Sequence, residues 1–412
     1  MLDHETEERL GATRRANLRF ELSEDQELFR ATGEKFLGRE YPQSRIRQLA
    51  ESEGSGFEKS VWRRCAELGW ASMFGPDSLG GGSISGNAVE DMCLIAEEAG
   101  RVLAPLPIAG VNVVVAALAE GAAGEDALAL LEPLMRGEVT AAWAYEEPDG
   151  RWRPDALLAS ADLDGHTVTL TGRKTLVQYG ADVDFLLVTA RTGRGLTQVV
   201  VPCDSAGVSV TRLVSLDLLH EYAVVAFDGV RVPSTWLVDG VGAADEQIYR
   251  QFCLFAALQC AETVGGMAKA FETTLEYAQS RYAFGRPIGS FQALKHRIAD
   301  MLTWLESCRG AAEAAATLAG TSSWLMTTTV AIAYIGTFGT QVLQECTQVH
   351  GGIGLTWEHD LHLFLRRVSS NRSVLGTPEE HKEALCAQLE AAYYPASQER
   401  DGGTGNRAEG VA

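Results

Sequence analysis

Two short stretches, far apart in the chain, carry the residue types that hold an anionic and aromatic ligand. Residues 277–301 read YAQSRYAFGRPIGSFQALKHRIADM. The helical pattern before this turn is expected to stop near Phe284-Gly285, because glycine accepts the left-handed backbone that ends a helix and Pro287 bars continuation. A second helix is expected from about Ser290. The turn leaves Arg281, the ring of Phe284 and Gln292 beside an open helix end. There a pyrophosphate can take charged hydrogen bonds from the guanidinium and free N–H groups from the helix. The same residues also suit a plain helical hairpin with a surface arginine. The second stretch, residues 348–367, reads QVHGGIGLTWEHDLHLFLRR; Gln348 is followed by Gly351, Gly352 and Gly354, where backbone can approach a ligand closely.

The elements that must position these residues follow a helix, strand, helix order. LSEDQELFRATGEKFL opens with Ser23 and Gln26 at capping-box spacing, then Leu28, Phe29, Ala31 and Phe36 near helical spacing. Helical patterns resume in NAVEDMCLIAEEAGRVLA and EDALALLEPLMRG after the loop GPDSLGGGSISG. Near residue 139 the texture changes to short β-branched or alternating runs such as TAAWAY, DFLLVTAR and TQVVVPCD, the pattern of antiparallel strands. Asp164-Gly165 is expected to be a hairpin turn. Helical period returns from about 245 to about 395. The expected organisation is therefore a flexible N-terminus over 1–18, a helical domain over 19–138, a β domain over 139–244, a helical bundle over 245–396 and a disordered tail over 397–412.

Composition narrows the function. A formal charge of −20 argues against nucleic-acid binding, which needs clustered Lys and Arg. The eight cysteines are scattered, without a CxxC pair or Cys/His cluster at metal-ligand spacing, and read as buried free thiols in a reducing cytoplasm. No metal site is expected. MLDHETEERLGATRRANLRF mixes both charges without an apolar core, so it does not read as a signal peptide. Two apolar stretches, Val102 to Ala119 and Ala314 to Gln344, read as core or subunit-interface helices, not membrane spans. The G-x-G-x-x-G turn, the P-loop, G-x-S-x-G and H-E-x-x-H are absent, which argues against a nicotinamide Rossmann enzyme, a nucleotide hydrolase, an α/β-hydrolase and a zinc protease.

The pairing of R-x-x-F-G-x-x-I-x-x-F-Q with Q-x-x-G-G-x-G some sixty residues later, within the helix, strand, helix order, resembles the acyl-CoA dehydrogenase family. That resemblance implies an α+β fold with an N-terminal helical domain, a middle antiparallel β-barrel-like domain and a C-terminal four-helix bundle. It implies FAD lying between the β domain and the C-terminal helices, with its ADP half reaching a neighbouring subunit. By motif, Arg281, Phe284, Phe291 and Gln292 would hold the pyrophosphate and adenosine side, with Gln348, Gly351 and Gly352 supplied by the partner. An oligomer follows: a homotetramer or homodimer, or a heterotetramer with a sister chain. The β domain matches less closely. Glu146, Glu147 and Pro148 align with the family's Thr-Glu-Pro strand end, and Leu176 and Gln178 stand where Trp-x-Thr contacts flavin. Gln178 would hydrogen-bond the flavin edge, or only fill a strand.

The family removes an α-proton from an acyl-CoA thioester while the β-hydrogen leaves as hydride to flavin, and electrons pass to an electron-transfer flavoprotein. Its base is a glutamate just before a Gly-Thr pair; here, in VLGT, that place is Leu375. A second family solution puts the glutamate on the long helix, at a place occupied here by Phe255. Glu262, two helical turns beyond Phe255, is then either a relocated base or an acid satisfied by a basic group. Glu147, Glu358, His350 and His359 are weaker candidates. Two functions follow: an active dehydrogenase with an unusual base, or a base-less, FAD-sharing subunit of a heterotetramer of the actinobacterial steroid-side-chain type, which the RRV and TWEH segments resemble.

Overall fold

Ser23 caps the first helix among the described residues, as its spacing predicts. Its side chain accepts the Gln26 N–H at 3.2 Å, and the Gln26 carboxamide oxygen takes the Ser23 N–H at 3.1 Å. In this computed structural model, which describes residues 22–52, 56–121 and 123–393, helix α1 runs Glu24–Glu40. The expected flexible N-terminus and disordered tail lie outside the described residues. The face α1 buries is Gln26, Gly33, Phe36 and Leu37, while Leu28 faces solvent at 68 % exposure. Gln26 also donates to Asp91 at 3.0 Å, tying α1 to a later helix of the same domain.

Helices α2 (Gln43–Glu51), α3 (Lys59–Glu67), α4 (Ala88–Val102), α5 (Ile108–Glu120), α6 (Glu125–Leu128) and α7 (Leu131–Met135) complete this domain. Within the apolar stretch from Val102, α4 ends, Leu103 turns the chain at φ 57°, and α5 starts immediately after Pro107. Proline breaks the run at the one place where its missing N–H costs nothing, ahead of a helix. Gly110 remains inside α5, which is buried around most of its circumference. No helix among the described residues is long and apolar enough to cross a membrane.

The middle of the chain forms one eight-stranded sheet: β1 (Ala141–Ala144), β2 (Ser160–Asp164), β3 (Thr167–Gln178), β4 (Phe185–Thr192), β5 (Gly195–Pro202), β6 (Val208–Arg212), β7 (Tyr222–Pro233) and β8 (Leu237–Val238). The order is β6-β7-β3-β2-β4-β5-β8, with β1 paired to β4. Antiparallel pairing dominates, but β1 runs parallel to β4, and the path ends at β6 and β8 instead of closing into a barrel. The β2–β3 hairpin turns at Gly165 and His166, one residue later than the Asp164-Gly165 expectation, because Asp164 pairs with Thr167.

Helix α8 (Asp245–Ser280) is mostly buried and passes between the other layers. It crosses α4 backbone to backbone: a Cβ on Gly265 would lie 1.9 Å from the Glu97 carbonyl, and one on Gly100 would lie 1.9 Å from the Glu262 carbonyl. Helices α9 (Gln292–Thr317) and α10 (Trp324–His350) pack on α8, and α11 (Leu361–Asn371) and α12 (Pro378–Tyr393) pack on α10.

Candidate active site

The 281–292 corner is built differently from a simple helix stop. Helix α8 ends at Ser280, and two-residue strands β9 (Tyr282–Ala283) and β10 (Arg286–Pro287) pair across a tip formed by Phe284 at φ 52° and Gly285 at φ 81°. Two left-handed residues give the hairpin turn whose twist matches its strands. Helix α9 then starts at Gln292. The tip holds Phe284 out at 96 % exposure. Phe291 lies edge-on to Phe284 at 6.3 Å, and its face is covered by the Arg286 guanidinium at 4.1 Å. The Arg281 side chain is exposed and has no hydrogen-bond or ion-pair partner among the described residues.

Gln348 is exposed on the last turn of α10, and Gly351 leaves that helix at φ 64°. A Cβ on Gly351 or Gly352 would meet nothing within 4 Å, so both present open backbone. Tyr277, one turn before Arg281, stacks on His350 at 4.4 Å. The corner and the glycine bend therefore share one end of one bundle. His350 Nδ1 is committed to the Cys346 carbonyl at 2.9 Å, and His359 Nδ1 accepts the Leu361 N–H at 3.2 Å, so both histidines are structural. Glu358 is exposed at the same end, where its carbonyl accepts Arg47 at 2.8 Å.

The second cluster lies along the seam between the sheet and α8. At the end of β3 the register against β7 slips, and Leu176 (φ 50°) and Tyr179 (φ 54°) flank the irregular strand end. Such irregularities re-aim side chains, and here Gln178 reaches His220, with its amide nitrogen 3.2 Å from His220 Nδ1. The other ring nitrogen, Nε2, lies 3.3 Å from Glu262 Oε1 without making a hydrogen bond among the described residues. Burial, followed by the nearby Arg367 charge, pushes the His220 pKa well down, so the ring is neutral. The carboxamide oxygen of Gln178 is buried without a partner.

Glu262 is not a free acid. Arg367 donates to its Oε1 at 2.8 Å and Asn371 to its Oε2 at 3.1 Å, while Arg367 also pairs closely with buried Asp217. Asp217 in turn accepts the N–H groups of Leu219 at 2.9 Å and His220 at 3.2 Å. Burial raises the Glu262 pKa and Arg367 offsets part of that rise. The sequence found Glu262, but its partner Arg367 lay unremarked in the RRV segment. A cavity of about 20 Å³ between Gln178, His220, Gln259 and Glu262 has room for about one water molecule. Because both Glu262 oxygens are taken, Glu262→Gln is expected to lower unfolding free energy by roughly 1–3 kcal/mol without a hundredfold loss of turnover. A hundredfold rate loss at unchanged thermal midpoint would restore it as a base.

The two places where the resemblance puts a base are apolar. Phe255 is buried against Trp143, with ring centroids 5.9 Å apart. Leu375 is buried at φ 61°, with its carbonyl bound by His381 Nε2 at 2.8 Å. Its N–H donates to Glu146 Oε1 at 2.9 Å. Glu146 is a buried carboxyl that the sequence aligns with the family's Thr-Glu-Pro strand end without assigning it a role, and burial pushes its pKa up to about 8. Glu147, its neighbour, is fully committed: it accepts Leu158 N–H at 2.6 Å, Ala159 N–H at 2.9 Å and the buried Lys174 ammonium at 2.8 Å. Beside Leu375 and its partner His381 a cavity of about 570 Å³ is lined by Tyr145, Trp152, Ile248, Phe252, Leu325 and His381. Among the described residues no group of three or more His, Cys, Asp or Glu side chains is placed to hold a metal, and all eight cysteines are free thiols.

The structure thus offers two places for chemistry, a buried Glu262–Arg367–Asp217 network between the sheet and a long helix and an exposed arginine corner at the end of α8. The acyl-CoA dehydrogenase N-terminal domain matches residues 23–138 and the acyl-CoA dehydrogenase C-terminal domain matches residues 246–389. Acyl-CoA dehydrogenase IpdE2 of Mycolicibacterium smegmatis is 30% identical over 370 residues, covering 89% of this chain and all of the relative. Benzylmalonyl-CoA dehydrogenase of Aromatoleum aromaticum is 27% identical, covering 90% of this chain and 99% of its own. Among solved structures, the ChsE4-ChsE5 complex of Mycobacterium tuberculosis superposes with a TM-score of 0.81 at 26% identity, over 92% of this chain and 100% of that one. The chain belongs to the acyl-CoA dehydrogenase family, a class of FAD-dependent oxidoreductases.

Proposed function

We propose that the chain is an FAD-dependent acyl-CoA dehydrogenase that desaturates an acyl-CoA thioester between its α and β carbons, in the cytoplasm. The observation that carries this reading is the end of the bundle where Tyr277 stacks on His350: beyond the one lie exposed Arg281, without a partner among the described residues, Phe284 and Gln292, and beside the other exposed Gln348 and the bare backbone of Gly351 and Gly352. These residues fit the ADP half of FAD: guanidinium for pyrophosphate, ring for adenine, glycine backbone for close approach. The unpartnered Gln178 oxygen at the seam fits the polar edge of the flavin ring, since it can accept from a ring N–H that no protein group replaces. When bound, FAD supplies the hydride acceptor. Glu147 and Lys174 hold the loop that follows β1, and Phe291 stiffens the corner through Arg286. The cavity beside Leu375, lined by Trp152 and Phe252 and with Arg153, Asp155 and Gln388 also on its wall, is the place for the thioester.

Arg281→Ala is expected to weaken FAD retention by about 10- to 100-fold, the worth of a charge-assisted hydrogen bond. Flavin absorbance remaining after gel filtration measures it; retention equal to the parent protein would remove the corner from the site. A second reading is favoured by apolar Phe255 and Leu375 and by a Glu262 already bound to Arg367: the chain is a subunit of a hetero-oligomer that shares FAD with a catalytic sister chain. One relative of known structure is itself a two-chain complex. Mass measurement and turnover of the chain alone, and together with a co-expressed sister chain, separate the two. A yellow homo-oligomer reduced by acyl-CoA and reoxidised by an electron-transfer flavoprotein supports the first; turnover only in the mixed assembly supports the second.

A further inference from the structure

We propose that Glu146 is the proton-accepting carboxyl of the reaction, standing in for the glutamate that Leu375 replaces. This rests on the dehydrogenase reading above. Residues 146 and 375 are far apart in sequence, yet Glu146 Oε1 lies 2.9 Å from the Leu375 N–H, which puts a carboxyl at the backbone position from which the missing base would extend. The neighbouring Tyr145 lines the 570 Å³ cavity, and His381, which holds the Leu375 carbonyl, lines it too. The one hydrogen bond to the carboxyl among the described residues is that of Oε1, and the side chain is 7 % exposed.

A purely structural role does not account for a carboxyl here. One backbone N–H needs only a neutral acceptor, such as a glutamine, whereas a buried acid without a cation costs free energy. The nearest buried cation, Lys174, is bound to Glu147 and to the Tyr145 carbonyl. The charged and titratable groups around Glu146 are Glu380 and His381 of α12, Tyr145 beside it, Tyr222 of β7 and the Lys174–Glu147 pair. Burial raises its pKa, Glu380 adds to the rise, and the Leu375 N–H lowers it. A base titrating near neutrality is matched to proton abstraction from a weak carbon acid. In the step itself the α C–H bond breaks heterolytically and its proton passes to Glu146 Oε2. The electron pair left on the α carbon becomes the π bond as hydride departs from the β carbon, with its own pair, to oxidised flavin.

The test compares FAD-loaded wild type and Glu146→Gln, each titrated with octanoyl-CoA and with 3-thiaoctanoyl-CoA, whose deprotonation beside oxidised flavin gives a long-wavelength absorbance band. Glutamine keeps an acceptor for the Leu375 N–H, and Glu146→Thr, also neutral and with an oxygen acceptor, serves the same comparison if the glutamine protein does not fold. The expected result is that the variant still binds both thioesters but bleaches at least a hundredfold more slowly, on the scale of losing a general base, and forms no long-wavelength band. In wild type the bleaching rate rises with pH and levels off above about 8, where the carboxylate form predominates. A readout without thioester accompanies it. With a folded-state pKa raised above the unfolded value, the native protein holds a proton the unfolded chain has lost, so stability falls as pH rises from about 4.5 to about 8. That part of the fall is expected to be missing in Glu146→Gln. Bleaching within tenfold of wild type, or an identical pH dependence of the melting temperature, overturns the assignment. A wild-type chain that retains no FAD, alone or with a sister chain, instead defeats the dehydrogenase reading, and is seen without any variant.

Discussion

Arg367→Ala is expected to lower unfolding free energy by about 3–5 kcal/mol, the scale for removing one partner of a buried ion pair. The side chain is wholly buried and joins Asp217, on the loop leading to β7, with Glu262 on α8. Its loss leaves two buried carboxylates facing each other without a cation. Burial already raises the Glu262 pKa and Arg367 offsets part of that rise, so without the guanidinium it rises further, the folded state takes up a proton that the unfolded chain does not hold, and stability recovers on acidification. The destabilisation is therefore larger at pH 8 than at pH 5, and denaturant midpoints at the two pH values check it. Adding Asp217→Asn and Glu262→Gln to Arg367→Ala is expected to restore part of the loss, because neutral amides are less costly to bury than unpaired anions. Equal destabilisation at both pH values would mean that packing, not charge, holds this seam.

Gly265→Ala is expected to be at least as damaging, from a side chain of one carbon. The new methyl would sit 1.9 Å from the Glu97 carbonyl of α4, and this obstruction is backbone, which cannot rotate away. Forced overpacking typically costs 1–3 kcal/mol where side chains can yield, and a rigid helix crossing places this change at or above the top of that range. Gly100→Ala meets the Glu262 carbonyl at 1.9 Å across the same crossing. The two changes push apart one pair of helices, so the double variant is expected to cost less than the sum of the singles. Thermal midpoints of the three proteins measure this. In a folded Gly265→Ala protein the displaced Glu262 would shift against Arg367, so changes at the seam and at the crossing report on one structure.

Local rules carried the sequence reading where a rule decides locally. Ser23 and Gln26 form their capping box, and the β-branched runs after residue 139 become strands. The arginine-phenylalanine corner and the glycine bend are both legible as motifs, but that Tyr277 before the one stacks on His350 before the other is a tertiary contact no local pattern announces. The hairpin at 282–287 was read as a helix terminus, since the same Gly285 and Pro287 suit either structure. Leu28 scored as part of an apolar stripe, although small Gly33 lets α1 approach Ile95 on a different face. Glu146 aligns without a role because nothing near position 146 announces position 375. Parallel β1 was likewise invisible, as its partner β4 begins some forty residues later.

The charge-free run from Ala314 to Gln344 has a consequence for anyone preparing the protein. Most of helix α10 lies within it, and Met326 and Val330 stand outward at 44 % and 43 % exposure with no lysine or glutamate nearby on that helix to keep water around them. Colloidal behaviour of the single chain is then governed by this greasy flank despite the strongly acidic whole. The chain purified alone is therefore expected to elute later from phenyl resin than a Met326→Lys, Val330→Lys double variant.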